Sequence, residues 1–247
     1  MDDPSRVFAR DYIICYNFCV GLLDIIFPKR CIGCKKFGDY LCSNCFPKLS
    51  YAEYSLCFIC QRGTLDGRTH PRCRSATTID GVFVGLVYNN ISRRLITALK
   101  YRPYLADLAP YLTDILAEQL IQNELFVTSL SPDSIFVPVP LHASRLRQRG
   151  YNQSELLGKA LAKKFSLKCL PLLERTRKTK SQVGLNKEER RKNMHDAFSI
   201  KKGATLPKVV FLVDDVVTSG ATLLEAARVL KKAGVKEVYG IALAHGN

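Results

Sequence analysis

Hydrophobic positions change character near residue 80. Beyond that point they fall into blocks with strand or helix spacing. Gly81 to Tyr88 (GVFVGLVY) is apolar and β-branched and predicts a strand. Ile91 to Tyr101 and Leu105 to Gln122 predict helices, with Asp107 near the start of the second. Ser134 to Val139 (SIFVPV) predicts a strand that meets proline at its end. Ser154 to Phe165 sets Leu156, Leu157, Ala160 and Leu161 at helical spacing. Lys208 to Val213 (KVVFLV) is a continuous apolar run, the pattern of a strand covered on both faces. Ala221 to Ala233 predicts a helix with Leu223, Ala227 and Leu230 on one side and Gly234 as its stop. Val238 to Ala244 predicts a last strand. Alternating strands and helices predict an α/β fold with a parallel sheet flanked by helices.

Before residue 80 the pattern is different. Residues 31 to 75 are rich in Cys, Gly, Pro and short polar connections, with little helical periodicity. At the front, the apolar run Ile13 to Phe27 is broken by Asn17 and Asp24, too short and too polar for a bilayer span. It is expected to form an amphipathic helix packed on the neighbouring domain. The expected organisation is an N-terminal helix over 1–26, a small cysteine-rich domain over 27–78 and the α/β domain over 79–247. Nothing resembles a secretory signal, so the protein is expected in the cytoplasm. Its ten cysteines are then expected as metal ligands rather than disulfides.

The cysteine spacings support that expectation. Cys31-Ile-Gly-Cys34 is followed by Cys42-Ser-Asn-Cys45. A CxxC turn places two thiolates on one ion, and two such turns complete a tetrahedral zinc site. Cys57-Phe-Ile-Cys60, then His70 and Cys73, offer a second site of three cysteines and one histidine. A cross-braced pairing, in which alternate pairs share an ion, stays open. Both sites would be closed, and therefore structural. Cys15, Cys19 and Cys169 lack partners at ligand spacing and are expected in packed positions.

Charge adds a preference for anionic partners. The 247 residues carry 37 Lys and Arg against 22 Asp and Glu, a net +15. From Leu141 to Lys202 there are 17 of the former and 5 of the latter, a net +12. Within this stretch lie Arg145, Arg147 and Arg149, followed by Arg175, Lys178, Gln182 and Arg190. Three readings stay open for them: contacts to a pyrophosphate, contacts to a nucleic-acid backbone, and a solvated charged face. Arg175 to Asn193 is long, polar and irregular, with Gly184 as a pivot, and suits a flap over a ligand.

The stretch richest in chemistry is Val209 to Leu223 (VVFLVDDVVTSGATL). A buried strand runs directly into Asp214 and Asp215, where open α/β sheets place ligand contacts. Two adjacent carboxylates are costly to pack unless a sugar diol or a metal satisfies them. Thr218-Ser219-Gly220-Ala221-Thr222 then opens a helix. Small residues let backbone N–H groups converge and the hydroxyls add donors, which together cradle a phosphate monoester.

This stretch resembles the 5-phosphoribosyl pyrophosphate signature of type I phosphoribosyltransferases. The resemblance implies that Asp214 and Asp215 hold the ribose hydroxyls, that Val217, Thr218, Ser219, Gly220, Ala221 and Thr222 hold the 5-phosphate, and that Mg2+ bridges pyrophosphate and ribose oxygens. Further motifs resemble the ComF family: Ile135 to His142 (IFVPVPLH), Arg145 to Gln153 (RLRQRGYNQ), Leu99-Lys100-Tyr101, the run Arg175, Thr179, Gln182, Leu185, Arg190, Asn193, Phe198, and the paired cysteine clusters. That family implies a type I phosphoribosyltransferase fold behind a double zinc ribbon, with Val139, Pro140, Leu141 and His142 as the pyrophosphate loop. It also implies a role in natural transformation, with single-stranded DNA or the DNA-uptake helicase machinery as partners. Two departures stand out. Family members often carry a further cysteine where Ala76 lies, which leaves the second site dependent on His70. The proline usual after the histidine is Ala143. The expected activity is phosphoribosyl transfer to an unidentified nitrogen nucleophile. The rival expectation is a DNA-handling protein whose phosphoribosyl site is a sensor or relic. No residue identifies itself as the general base.

Overall fold

The computed structural model describes residues 28–52, 55–101, 105–179, 184 and 186–246. The expected helix over 1–26, with Cys15 and Cys19, lies outside the described residues, as do Gln182 and Leu185. The chain divides into two compact units, one ending at Lys48 and one running from Leu49 onward.

In the first unit, two turns present the cysteine pairs. Backbone bonds from Cys31 N–H to Lys36 and from Ile32 N–H to Tyr40 close the first turn, and Cys45 N–H to Cys42 closes the second. Cys31, Ile32, Tyr40, Leu41 and Cys45 are its buried residues.

The second unit opens with a short hairpin, β1 (Ser55–Leu56) and β2 (Gly63–Thr64), which presents the second cysteine group. Next come β3 (Gly81–Val87), α1 (Asn90–Lys100), α2 (Leu108–Ile121), α3 (Glu124–Ser129) and β4 (Ile135–Pro138). They are followed by α4 (Ala143–Arg149), α5 (Gln153–Lys164), β5 (Lys168–Cys169), β6 (Leu173–Arg175), α6 (Lys187–Met194) and β7 (Phe198–Ile200). β8 (Val209–Val217), α7 (Ala221–Lys232) and β9 (Glu237–His245) complete the unit.

Five strands form one parallel sheet in the order β3-β9-β8-β4-β5. Helices α2 and α5 cover one face, where Phe83, Phe126, Phe136, Phe211 and Tyr239 pack ring against ring. On the other face α7 packs beside α6 and the β6–β7 ribbon. Val210, Phe211, Leu212 and Val213 are all fully buried, as the continuous apolar run requires. β4 continues through α5 to β5 on one side, and β8 continues through α7 to β9 on the other. The crevice between β4 and β8 is thus a topological switch point, where open α/β sheets bind ligands beyond the carboxyl ends of their strands.

Two elements differ from the pattern-based expectation. β8 does not stop at Val213 but pairs with β9 as far as Val217 and His245, so both aspartates lie within the strand. The expected irregular stretch Arg175 to Asn193 contains helix α6. Asn186 and Glu189 form a reciprocal capping box there, with Glu188 and Glu189 in the first turn and Arg191 and Lys192 in the last. Among its residues only Met194 is buried, so no apolar stripe announced it. No helix among the described residues is long and apolar enough to cross a membrane.

Candidate functional site

Two four-ligand clusters and one charged crevice carry the chemistry. Cys31, Cys34, Cys42 and Cys45 bring their sulfurs within 4.8 Å of one another, and so do the ligand atoms of Cys57, Cys60, His70 and Cys73. A tetrahedral zinc–thiolate site places its sulfurs about 3.8 Å apart, so both sets fit. The grouping is consecutive, not cross-braced. His70 directs Nδ1 at Cys60 Sγ, 3.3 Å away, while Nε2 lies 3.0 Å from the Gly63 carbonyl. A ligating imidazole is held in this way, with its second nitrogen donating to a carbonyl. Burial alone would raise the Cys31 thiol, yet the Cys42 and Cys34 N–H groups and neighbouring thiols bring it down to about 6. The Arg62 N–H and His70 lower Cys60 to about 6 as well. Burial pushes Cys45 up to about 12 and Cys73 up to about 11, so each cluster pairs one thiol poised as the ligating thiolate with one that holds its proton until a metal meets it.

The crevice at the carboxyl ends of β4 and β8 encloses about 390 Å³. Lys100, Arg145, Arg149, Arg175 and Arg190 line it together with Asp214 and Asp215, five cations against two carboxylates. That excess suits a ligand carrying several negative charges. Asp215 pairs with Lys100 through one oxygen at 2.8 Å. Its other oxygen, Oδ2, is buried without a hydrogen-bond partner. Burial works against the Lys100 ammonium, but Asp215 outweighs it and raises Lys100 above its ordinary value. Asp214 Oδ1 accepts from the Ser154 hydroxyl at 3.1 Å and from the Asp215 N–H at 2.9 Å. Burial and the adjacent Asp215 carboxylate nevertheless push Asp214 up to about 7.

Beyond Val217 the chain turns at Gly220, whose φ of +74° is the left-handed conformation that favours glycine. α7 then starts at Ala221 with no side-chain cap. Thr218 and Thr222 line the crevice. Thr218 Oγ1 accepts from Arg190 at 2.8 Å, which brings α6 to the loop. Ser219 is buried and its hydroxyl has no partner. Val217 and Ala221 are buried behind the loop. An uncapped helix start beside an unpartnered hydroxyl presents donors suited to an anion.

The remaining expected site residues divide. Val139, Pro140 and Leu141 line the crevice. Val139 is fixed by its N–H to the Val213 carbonyl and by the Asn152 amide on its own carbonyl. His142 does not line it; its Nδ1 accepts from the Ser144 N–H at 3.2 Å and caps α4. Arg145 and Arg149 are half-buried on the crevice wall, whereas Arg147, between them, is exposed and outside it. Arg175 reaches Thr179 and Met194, and burial together with Arg145 lowers it to about 10. Its Nε is buried and unpartnered. Lys178 is exposed and does not line the crevice.

Lys100 and Ser154 were not assigned roles by sequence reasoning. Lys100 closes α1 and Ser154 opens α5, each far along the chain from the aspartates it contacts. The signals were the place of Lys100 in Leu99-Lys100-Tyr101 and of Ser154 directly after Arg149-Gly-Tyr-Asn-Gln153. The Tyr151 hydroxyl donates to the Leu99 carbonyl at 2.6 Å and joins those two stretches.

Comparison with known proteins agrees with this geometry. The phosphoribosyl transferase domain family matches residues 152–247, and the double zinc ribbon domain family matches residues 22–74, spanning both clusters. The chain is 30% identical over 216 residues to DNA utilization protein YhgH of Escherichia coli, covering 80% of this chain and 93% of that protein. It is 41% identical over 118 residues to Competence protein F of Haemophilus influenzae, covering 46% of this chain and 51% of that protein. Competence protein ComFC of Streptococcus pneumoniae is 37% identical over 108 residues, covering 44% of this chain and 46% of that protein. The aligned part thus spans about half the length of these last two relatives.

Proposed function

The chain belongs to the ComF family, and from that premise we propose that it binds 5-phosphoribosyl pyrophosphate with Mg2+ in the crevice and transfers its phosphoribosyl group to a nitrogen acceptor. The observation that carries the reading is a pair of buried, unpartnered polar atoms on one strand–turn–helix unit: Asp215 Oδ2, whose residue lines the crevice with five cations, and Ser219 Oγ, in the turn between the crevice-lining Thr218 and Thr222. Buried polar atoms without partners are costly, and a ligand that meets both removes the cost.

The roles follow from the chemistry of each group. Asp214 and Asp215 accept from the ribose hydroxyls, and Val217 to Thr222 donate to the 5-phosphate. Val139 to Leu141 and the arginines Arg145, Arg149, Arg175 and Arg190 take the pyrophosphate. Lys100 balances Asp215 and lines the crevice where a phosphate oxygen can also reach it. Mg2+ would enter with the ligand near Asp214 and Asp215 and would neutralise charge on the leaving pyrophosphate, in keeping with its preference for few protein ligands. In the transfer, the bond from C1 to the pyrophosphate oxygen breaks and pyrophosphate leaves with the electron pair. The acceptor nitrogen bonds C1 and gives its proton to solvent.

Calorimetry tests the ligand directly. Magnesium 5-phosphoribosyl pyrophosphate is expected to bind and to raise the melting temperature, since a ligand seen only by the folded state stabilises it. Asp214→Asn with Asp215→Asn removes two charge-assisted hydrogen bonds and lowers affinity by about a hundredfold or more. Thr218→Ala costs less, because backbone N–H groups share the phosphate. No heat of binding to the unmodified protein at millimolar ligand would refute the reading.

A second reading is favoured by exposed Arg147 and Lys178 within the basic stretch, and by relatives named for competence and DNA utilization. In it the chain handles single-stranded DNA, with the phosphoribosyl site as a sensor. Salt-dependent DNA binding that 5-phosphoribosyl pyrophosphate modulates, without pyrophosphate release for any acceptor base, would favour it.

A further inference from the structure

Cys57-Phe58-Ile59-Cys60 is the turn that supplies two ligands to the second cluster, and it lies in the same compact unit as the phosphate loop. The Gln61 N–H returns to the Cys57 carbonyl at 2.7 Å and the Gln61 side chain donates to the Phe58 carbonyl at 3.0 Å, so the turn is tight. Phe58, between its two ligands, is only 2% exposed. Its ring meets the His245 ring edge-on with centroids 5.6 Å apart. On the loop side it lies so close to Gly220 that a Cβ built there would sit 2.9 Å from Phe58 Cδ1. Gly220 is the pivot on which the Thr218–Thr222 loop turns into α7.

The same neighbourhood holds the loop from behind. The Gly246 N–H, one residue beyond His245, donates to the Val217 carbonyl at 2.8 Å. The cluster itself is anchored to the sheet through Thr69, next to ligand His70. The Thr69 hydroxyl donates to the Ile79 carbonyl at 2.7 Å and its N–H to the Asp80 carbonyl at 2.8 Å. Phe58 therefore stands between an anchored metal turn and a glycine whose backbone sets the loop. Phe58 belongs to the buried apolar core of this unit, and it also borders a cavity with Tyr51, Leu56, Val82 and Val84.

We propose that Phe58 is a positioning residue for the phosphate loop, and that metal held by Cys57, Cys60, His70 and Cys73 thereby sets the affinity of the loop for a phosphate monoester. The proposal rests on the phosphoribosyl reading of the crevice. Metal fixes the two cysteines that flank Phe58, Phe58 fixes Gly220, and Gly220 aims the donors of the loop.

Ribose 5-phosphate and inorganic pyrophosphate separate this role from general damage. The first depends on the loop, whereas the second is held by the opposite wall and its arginines. In the full chain, Phe58→Ala is expected to keep its zinc content and circular dichroism, and to weaken ribose 5-phosphate on the order of tenfold with pyrophosphate unchanged. Phe58→Leu, which keeps bulk against Gly220, recovers most of that loss. Cys60→Ser, read by zinc content and the same two titrations, is expected to shed metal and to show the same selective loss. Undiminished ribose 5-phosphate affinity in Phe58→Ala overturns the proposal, and so does an equal loss for both ligands. If the unmodified protein binds neither ligand, the phosphoribosyl reading has failed first, and this inference fails with it.

Discussion

The two cysteine clusters are alike in ligand type and in CxxC spacing, and they differ in what surrounds them. Cys31, Cys34, Cys42 and Cys45 sit in a unit whose described residues bury few apolar side chains, among them Ile32, Tyr40 and Leu41. Cys57, Cys60, His70 and Cys73 sit in a unit with a five-stranded sheet, tied to that sheet through Thr69 and through the bond from the Val82 N–H to the Gly67 carbonyl. Among the described residues, metal thus stands in for apolar burial around the first cluster, whereas the second cluster is attached to a sheet with a large core of its own. One motif serves two purposes, and the neighbours decide which.

Chelation gives the largest expected contrast. Small domains without sufficient apolar burial fold only with their metal, whose binding free energy is their folding free energy. Under a strong chelator, amides of residues 28–48 should lose protection entirely, by orders of magnitude in exchange rate. Amides of β3, β8 and β9 should keep theirs, and residues 55–73 should fall between. Hydrogen exchange read by mass spectrometry checks this. Equal loss over both cysteine regions would break the comparison.

The same contrast explains what could be read from the residues alone. The ligand residues were legible because CxxC is local and four residues fix each turn, whereas the choice between consecutive and cross-braced pairing waited for the fold. β8 was legible as a buried run, and the small residues after it as a turn into a helix. Its true end was not, because pairing with β9 carries the strand through Asp214 and Asp215, and a strand's partner is invisible in its own sequence. α6 escaped because it is held by a capping box and charges rather than an apolar stripe. Lys100 and Ser154 escaped because their contacts to the aspartates form only when α1 and α5 are packed. The link from Phe58 to Gly220 escaped for the same reason, since a cysteine-rich front reads as a separate module.

Asp214 and Asp215 repeat the comparison within one dipeptide. Lys100 neutralises Asp215, while burial and the Asp215 charge drive Asp214 up to about 7. An unfolded aspartate titrates near pH 4, so the folded state holds its proton more tightly than the unfolded state does. The stability this contributes is fully present below about pH 4 and is lost as pH rises through about 7. Asp214→Asn, which stays neutral, should therefore melt higher than the parent at pH 8 by a few degrees, with the gain shrinking towards pH 5. It should at the same time bind 5-phosphoribosyl pyrophosphate more weakly, as expected where a site stores instability for function. A variant no more stable than the parent at pH 8 would mean that the carboxylate carries no penalty there.

Arg147 and Arg149 give the finest version, two arginines two residues apart with opposite surroundings. Arg149 is half-buried on the crevice wall, its guanidinium 5.0 Å from the centre of the Tyr101 ring and donating to the Gln153 side-chain oxygen Oε1 at 3.1 Å. Those contacts fix its planar fork, which suits a bidentate hold on phosphate oxygens. Arg147 is exposed in the last turn of α4, outside the crevice. A solvated cation contributes to a nucleic-acid backbone mainly by releasing a counterion, and each single-strand phosphate neutralised adds about 0.7 to the slope of log affinity against log salt. Arg147→Ala should thus reduce that slope for single-stranded DNA by about 0.7 and leave 5-phosphoribosyl pyrophosphate affinity unchanged. Arg149→Ala should lower affinity for 5-phosphoribosyl pyrophosphate, and should also reduce the DNA slope only if the crevice and the DNA path share its charge. Fluorescence anisotropy across a salt series, run with and without saturating magnesium 5-phosphoribosyl pyrophosphate, reads both effects in one titration. An Arg147→Ala slope equal to that of the parent would remove the exposed side of α4 from the DNA path. A slope change in Arg149→Ala that disappears with ligand bound would place the two anions in competition for one guanidinium.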